Sequence, residues 1–230
     1  MDPVAQQFVT ELDESFTDLP DSVMSGLMMC GDDALPALVE RLDDDRPPHQ
    51  RRHAATVLGR MQAPEAVQPL VDAFAGGSVH PEVTRALGMA LRSYGASIEA
   101  AAMPKIADET LLPQARMAFV SLLVAAGVSS EALDDAVVDL AGKAPRDALL
   151  VMKMQPKERW LEVLRGENRQ LLMASNPRTY SEVLRTSLPK AKGVDAADAA
   201  KVQQMLAKQR DYAAKIAARL AARSNDDDDA

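Results

Sequence analysis

Residues 34–60, ALPALVERLDDDRPPHQRRHAATVLGR, contain the pattern that decides the fold. In the first part, Leu35, Leu38, Val39 and Leu42 recur at intervals of three, one and three residues, which places them on one side of an α-helix. The loop DDDRPPH interrupts that helix, and a second amphipathic segment follows it. The stretch therefore predicts two helices joined by a short loop.

The same pattern returns along the chain with a period of about 31–36 residues. Residues 66–92, AVQPLVDAFAGGSVHPEVTRALGMALR, repeat both helical stripes, and a less regular third unit ends in QARMAFVSLLVAAG. Arg52, Arg85 and Arg116 follow one another at intervals of 33 and 31 residues, so they are predicted to be equivalent positions of the second helices. Because a helix pair exposes an apolar face that it cannot cover alone, the units are expected to stack.

These units resemble the HEAT repeat family, in particular the short bacterial HEAT-like repeats first named from phycobilisome lyases. The residues that carry the resemblance are Pro36, Leu38, Val39, Leu42, Arg52, Ala54, Ala55, Leu58 and Gly59 in the first unit, and Pro69, Leu70, Val71, Val83, Arg85, Leu87 and Leu91 in the second. The resemblance covers about residues 18–127. It implies an all-α fold in which a right-handed α-α superhelix forms a HEAT-like solenoid.

Further helices are predicted on both sides of the repeats. A capping helix is expected at residues 4–16, and a second helix at residues 20–30 is expected to place Val23, Leu27 and Met28 on its inner face.

After the repeats, Ser129 or Ser130 is expected to cap a helix that ends at Leu140. More helices are expected at residues 145–154, 156–165 and 178–188. Residues 194–223 contain neither Gly nor Pro, and Lys201, Lys208 and Lys215 recur there at intervals of seven, which predicts a long basic amphipathic helix.

Composition and charge suggest how the chain is divided. Hydrophobic residues make up 47% of it and aromatic residues 3%, with 39 alanines, which favours packed helices and argues against an all-β fold. Residues 1–142 carry 9 Lys and Arg against 22 Asp and Glu, whereas residues 143–224 carry 17 against 8. We therefore expect an acidic repeat solenoid with its cap at 1–142, a basic C-terminal helical extension at 143–224 and an acidic, disordered tail at 225–230.

Candidates for catalysis and cofactor binding are weak. His49 and His53 lie four residues apart, with His80 in the next unit, but no acidic residue on the same helix is placed as a further ligand, so no metal site is expected. Cys30 is the only cysteine and lies in an apolar run, so no catalytic thiol, disulfide or cysteine-bound metal is expected. Because no catalytic or metal-binding constellation is found, we expect a protein that is not an enzyme and has no cofactor. The sequence shows no secretory signal and no apolar run of membrane-spanning length, which predicts a cytoplasmic protein.

The function predicted from these features is a non-catalytic protein-binding scaffold or adaptor. Arginines of the second helices are expected to contact an acidic protein surface or peptide, and the lysines of the basic segment are further candidates. The candidate residues are Arg51, Arg52, Arg85, Arg92, Arg116, Lys201, Lys208 and Lys215. For the arginines, the competing interpretation is a structural ladder paired with acids such as Asp44, Asp45 or Glu82.

Three other functions stay open at this point. The basic segment 143–224 could bind nucleic acid, although the acidic repeats would repel a phosphate backbone. The C-terminal helix could mediate self-assembly. The resemblance to lyase-type repeats implies a role as a lyase or chaperone-like accessory of a cofactor protein.

Overall fold

The structure is a computed structural model that describes residues 2–187, and over that range it contains 13 α-helices and no strand. The all-α prediction is confirmed. Contacts divide the described residues into two compact units, with the division between Met154 and Gln155. The predicted basic helix at 194–223, with its three lysines, and the predicted tail at 225–230 lie outside the described residues.

Within residues 2–154, the first unit consists of ten helices in sequence. They are α1 (Pro3–Glu14), α2 (Asp21–Cys30), α3 (Leu35–Glu40), α4 (Pro48–Met61), α5 (Val67–Gly76), α6 (Pro81–Ser93), α7 (Glu99–Ala107), α8 (Pro113–Ala125), α9 (Glu131–Leu140) and α10 (Pro145–Met154).

Helices α3 to α8 form the three predicted repeats. They pack as the pairs α3 with α4, α5 with α6 and α7 with α8, and α4 packs most extensively against α6 of the next pair. Each second helix begins at a proline, namely Pro48, Pro81 or Pro113. Proline suits this position because the first turn of a helix leaves its N–H groups without intrahelical partners and because the ring fixes a helical φ. The repeat prediction is confirmed.

The stack continues beyond the third pair. Helices α9 and α10 pack on α8 and on each other, so both belong to the first compact unit. Ser130 caps α9 by accepting a hydrogen bond from the Leu133 N–H at 3.3 Å, which confirms one of the two predicted caps. The predicted boundary between residues 142 and 143 rests on charge and on the loss of the repeat pattern, and stays a prediction.

The crossing of α4 and α6 is unusually close because one position on α4 has no side chain. A Cβ atom at Gly59 would lie 2.7 Å from the Ala90 Cα and 2.9 Å from its Cβ. Ser93 Oγ donates to the Gly59 carbonyl at 2.6 Å, and Tyr94 Oη donates to the Leu58 carbonyl at 2.9 Å. Two carbonyls in the last turn of α4 thus accept hydrogen bonds from the following repeat.

Helix α2 shows a difference from the sequence prediction. Val23 and Leu27 are buried as expected, but Met28 is exposed and Met24 is buried instead. Met24 lies three residues before Leu27 and next to Val23, so it falls on the buried side of the helix, whereas Met28 is rotated by about 100° from Leu27. The prediction for Met28 was wrong.

In the second unit, the described residues form α11 (Trp160–Arg165), α12 (Arg169–Ser175) and α13 (Pro177–Ser187), which pack on one another. Trp160 is buried and its indole N–H donates to the Gln155 carbonyl at 2.8 Å. Helices α11 and α13 correspond to predicted helices. The two-turn α12 was not predicted, because its apolar run is too short to show a helical period.

Candidate interaction surface

Helices α4 and α6 leave an open groove of about 450 Å³ between their exposed sides. On the α4 side it is lined by Arg52, Thr56 and Arg60, which are four residues apart and therefore form one row along the helix. The close approach at Gly59 keeps the floor of the groove narrow and free of large side chains.

The α6 side carries a matching row. Glu82, Arg85 and Met89 line the groove, and Ala86 and Ala90 contribute to its floor. Met89 is 65% exposed, which is unusual for a large apolar side chain between two packed helices. The lining combines three arginines with an exposed methionine and small residues.

The groove is lined by more positively charged side chains than negatively charged ones. Arg60 and Arg85 have no ion-pair partner among residues 2–187. Glu82, the one acid of the lining, has its Oε1 atom 3.6 Å from His80 Nδ1. The groove is therefore a positively charged site on a part of the chain whose sequence is strongly acidic.

Two of the predicted contact residues lie outside this groove and are buried. Arg51 is 5% exposed, donates from Nε to the Leu42 carbonyl at 3.2 Å and places Nη2 2.5 Å from Asp44 Oδ1. Arg116 is 7% exposed, and its Nε donates to the Ile106 carbonyl at 2.6 Å. Both guanidinium groups bind the first helix of their own repeat or its end, so we assign them a structural role.

The positions of these arginines correct the predicted register. Because the second helices begin at Pro48, Pro81 and Pro113, Arg51 and Arg116 are each the fourth residue of their helix. Arg52 and Arg85 are each the fifth. The prediction that Arg116 is equivalent to Arg52 and Arg85 was therefore wrong.

Arg92, another predicted contact residue, is exposed on α6 but does not line the groove. It lies seven residues after Arg85, about 10 Å further along the helix axis. Sequence analysis missed Arg60 and Met89. Arg60 lies eight residues after Arg52 on the same row, and Met89 lies 33 residues after Thr56, so the repeat period contained both signals.

The end of α1 and the loop that follows it lie against the N-terminal half of α4. His49 Nε2 is 3.0 Å from the Asp13 carbonyl oxygen, and His53 Nε2 is 2.9 Å from that of Ser15. Since a carbonyl only accepts, each imidazole donates from Nε2. Arg52 donates to the Thr17 carbonyl.

These contacts give His49 and His53 a structural role. Burial lowers the pKa of His53, and the neighbouring Arg52 charge lowers it further, which favours the neutral ring. His80 lies instead at the start of α6, beside Glu82. Among residues 2–187, no three His, Cys, Asp or Glu side chains are grouped closely enough to hold a metal ion.

No helix within the described part of the chain is both long enough and apolar enough to cross a bilayer.

Comparison with known protein families supports the repeat assignment. The family model described as HEAT repeats matches residues 11–92 and, in an overlapping second match, residues 35–124. These ranges include the end of α1 as well as the six helices of the three pairs. No curated protein and no solved structure shows a significant match to the chain. The helix pairs and the family match together show that residues 11–124 of this chain belong to the HEAT repeat family.

Proposed function

We propose that this protein is a non-catalytic scaffold or adaptor that binds an acidic segment of another protein in the groove between α4 and α6. The observation that carries the proposal is the combination of Arg60 and Arg85, which have no ion-pair partner among residues 2–187, with an exposed Met89 in the lining of the same groove. Arginines beside an apolar side chain are typical of protein-binding hot spots.

The repeat framework suits this function. Helices α4 and α6 are fixed to each other by the Gly59 crossing and by the hydrogen bonds from Ser93 and Tyr94. A groove between two firmly packed helices requires little ordering when a partner binds, which favours affinity. We also propose a cytoplasmic location, on the basis of the sequence features described above.

Charge favours a protein partner over nucleic acid for this groove. The sequence of residues 1–142 has a net charge of −13, which disfavours the approach of a long polyanion. A peptide with two or three carboxylates can satisfy the groove arginines without extending across the acidic surroundings.

A library of displayed 16-residue peptides, selected on the full chain, tests the proposal. We expect the enriched peptides to be acidic with at least one large apolar residue, and to bind Arg85→Glu at least about tenfold more weakly. Arg146→Glu is the matched control, because Arg146 is exposed on α10 and outside the groove. Enriched peptides that bind both variants equally, or no enrichment at all, would refute the proposal.

A further inference from the structure

The loop between α1 and α2 carries an aromatic side chain whose exposure is unexpected. Phe16 is 74% exposed, in a chain with only four phenylalanines, and Phe119 by contrast is fully buried. A single exposed apolar residue needs no explanation in a mobile loop. Phe16 differs because the backbone on both sides of it is held in place.

The neighbouring carbonyl groups are bound by α4. His53 donates to the carbonyl of Ser15, and Arg52 donates to that of Thr17, so the residues before and after Phe16 are both fixed. The Phe16 ring also contacts the His49 ring, with 4.6 Å between the two centroids. The phenyl group is therefore presented outward by a rigid support, as interface anchors are.

The support of Phe16 is continuous with the groove through Arg52. The hydrogen bond from Arg52 to the Thr17 carbonyl is donated by Nη2, and the same side chain lines the groove. His49, Arg52 and Thr56, which are half-buried, and Arg60, which is exposed, follow one side of α4 at helical spacing. From His49 to Arg60 this row spans about 16 Å along the axis.

We infer that Phe16 is a second anchor of the binding surface, so that the partner is an acidic amphipathic helix of about three turns. Its carboxylates pair with Arg60 and Arg85, and a large apolar residue at one end packs on Phe16. The inference rests on the proposed function, because it assigns the partner's shape and the place of its apolar end. Charge complementarity with the groove arginines and the length of the α4 row are the reasons for choosing this occupant.

The test uses the peptides selected on the full chain, with binding measured by fluorescence anisotropy. Phe16→Ala is expected to weaken binding about 10- to 30-fold, and Phe16→Leu is expected to recover most of the loss. Leu112→Ala is the matched control: Leu112 is 72% exposed, precedes α8 and lies outside the groove. It is expected to change affinity less than about twofold. Thermal unfolding of each variant shows whether Phe16→Ala alters the fold.

The outcomes separate this inference from the proposed function. If Arg85→Glu abolishes binding while Phe16→Ala behaves like Leu112→Ala, the groove binds the peptide but Phe16 is not an anchor. If neither Arg85→Glu nor Phe16→Ala weakens binding, both proposals are refuted. An oligonucleotide that binds more tightly than the peptides and loses affinity in Arg85→Glu would assign the surface to nucleic acid. Dimerisation of the full chain that Phe16→Ala abolishes would assign Phe16 to self-association.

Discussion

Arg51 and Arg52 are neighbours in sequence, yet they belong to two regions of the molecule with different roles. Arg51 points between the helices of its own repeat and is held by the Leu42 carbonyl, as Arg116 is held by that of Ile106. Arg52 lies on the groove, as Arg85 does. A step of one residue turns a helix by about 100°, which is enough to convert a structural contact into an exposed one. Similar residues in a repeat must therefore be compared by their place in the helix.

Substitutions of the buried and of the groove arginines should differ most in their effect on the free energy of unfolding. Arg116→Ala leaves the buried Ile106 carbonyl without its donor and should lower the free energy of unfolding by about 2–3 kcal/mol. Arg85→Ala removes an exposed side chain and should change it by less than about 0.5 kcal/mol. Urea unfolding of both variants provides the comparison. If both variants lost the same free energy of unfolding, Arg116 would not have the structural role that distinguishes it from Arg85.

A second prediction concerns the floor of the groove. Gly59→Ala places a methyl group against the backbone of Ala90 and should destabilise the fold by about 1–3 kcal/mol. Gly88→Ala is the control, because its nearest contact would be an ordinary one of 3.6 Å to Phe74. There, the better helix propensity of alanine should stabilise by up to about 1 kcal/mol. A stabilising Gly59→Ala would contradict the close crossing of α4 and α6.

The smallest expected effect is the pH dependence of the contact between α1 and α4. Burial lowers the pKa of His53 in the folded state below its usual value of 6.5, so the unfolded chain binds the proton more readily. The stability contributed by neutral His53 is present above pH 6.5 and is lost as the pH falls towards the folded-state pKa. His53→Gln keeps a donor for the Ser15 carbonyl and should reduce this dependence.

Chemical unfolding at pH 7.5 and pH 5.5 measures the effect. The wild type should lose more stability than His53→Gln over this interval. An equal loss in both proteins would show that His53 does not contribute to the pH dependence.

The sequence predicts the helix pairs well because each pair repeats the same apolar stripe, although α4 and α6 begin at Pro48 and Pro81, which the sequence pattern places in the preceding loops. It also predicts that Ser130 is one of two candidate caps for α9. In these cases one local rule determines the structure.

The candidate site is harder to predict because it depends on rotation around the helix. The sequence identifies Arg52 and Arg85 but does not separate them from Arg51 and Arg116, since the interval of 31 residues between Arg85 and Arg116 resembles a repeat. The sequence places Phe16 at the end of a capping helix. Only the structure shows that the carbonyls of Ser15 and Thr17, on either side of it, accept hydrogen bonds from α4. Such long-range hydrogen bonds leave no periodic trace in the sequence.

The groove between α4 and α6 is the proposed partner-binding surface. The most direct measurement is photo-crosslinking in living cells with a benzoylphenylalanine placed at position 89, compared with the same probe at position 150, where Leu150 is exposed on α10. We predict a discrete adduct at position 89 that maps to an acidic amphipathic segment of one protein and disappears with Arg85→Glu. The same adducts at both positions, or an adduct at position 89 that survives Arg85→Glu, would contradict the claim.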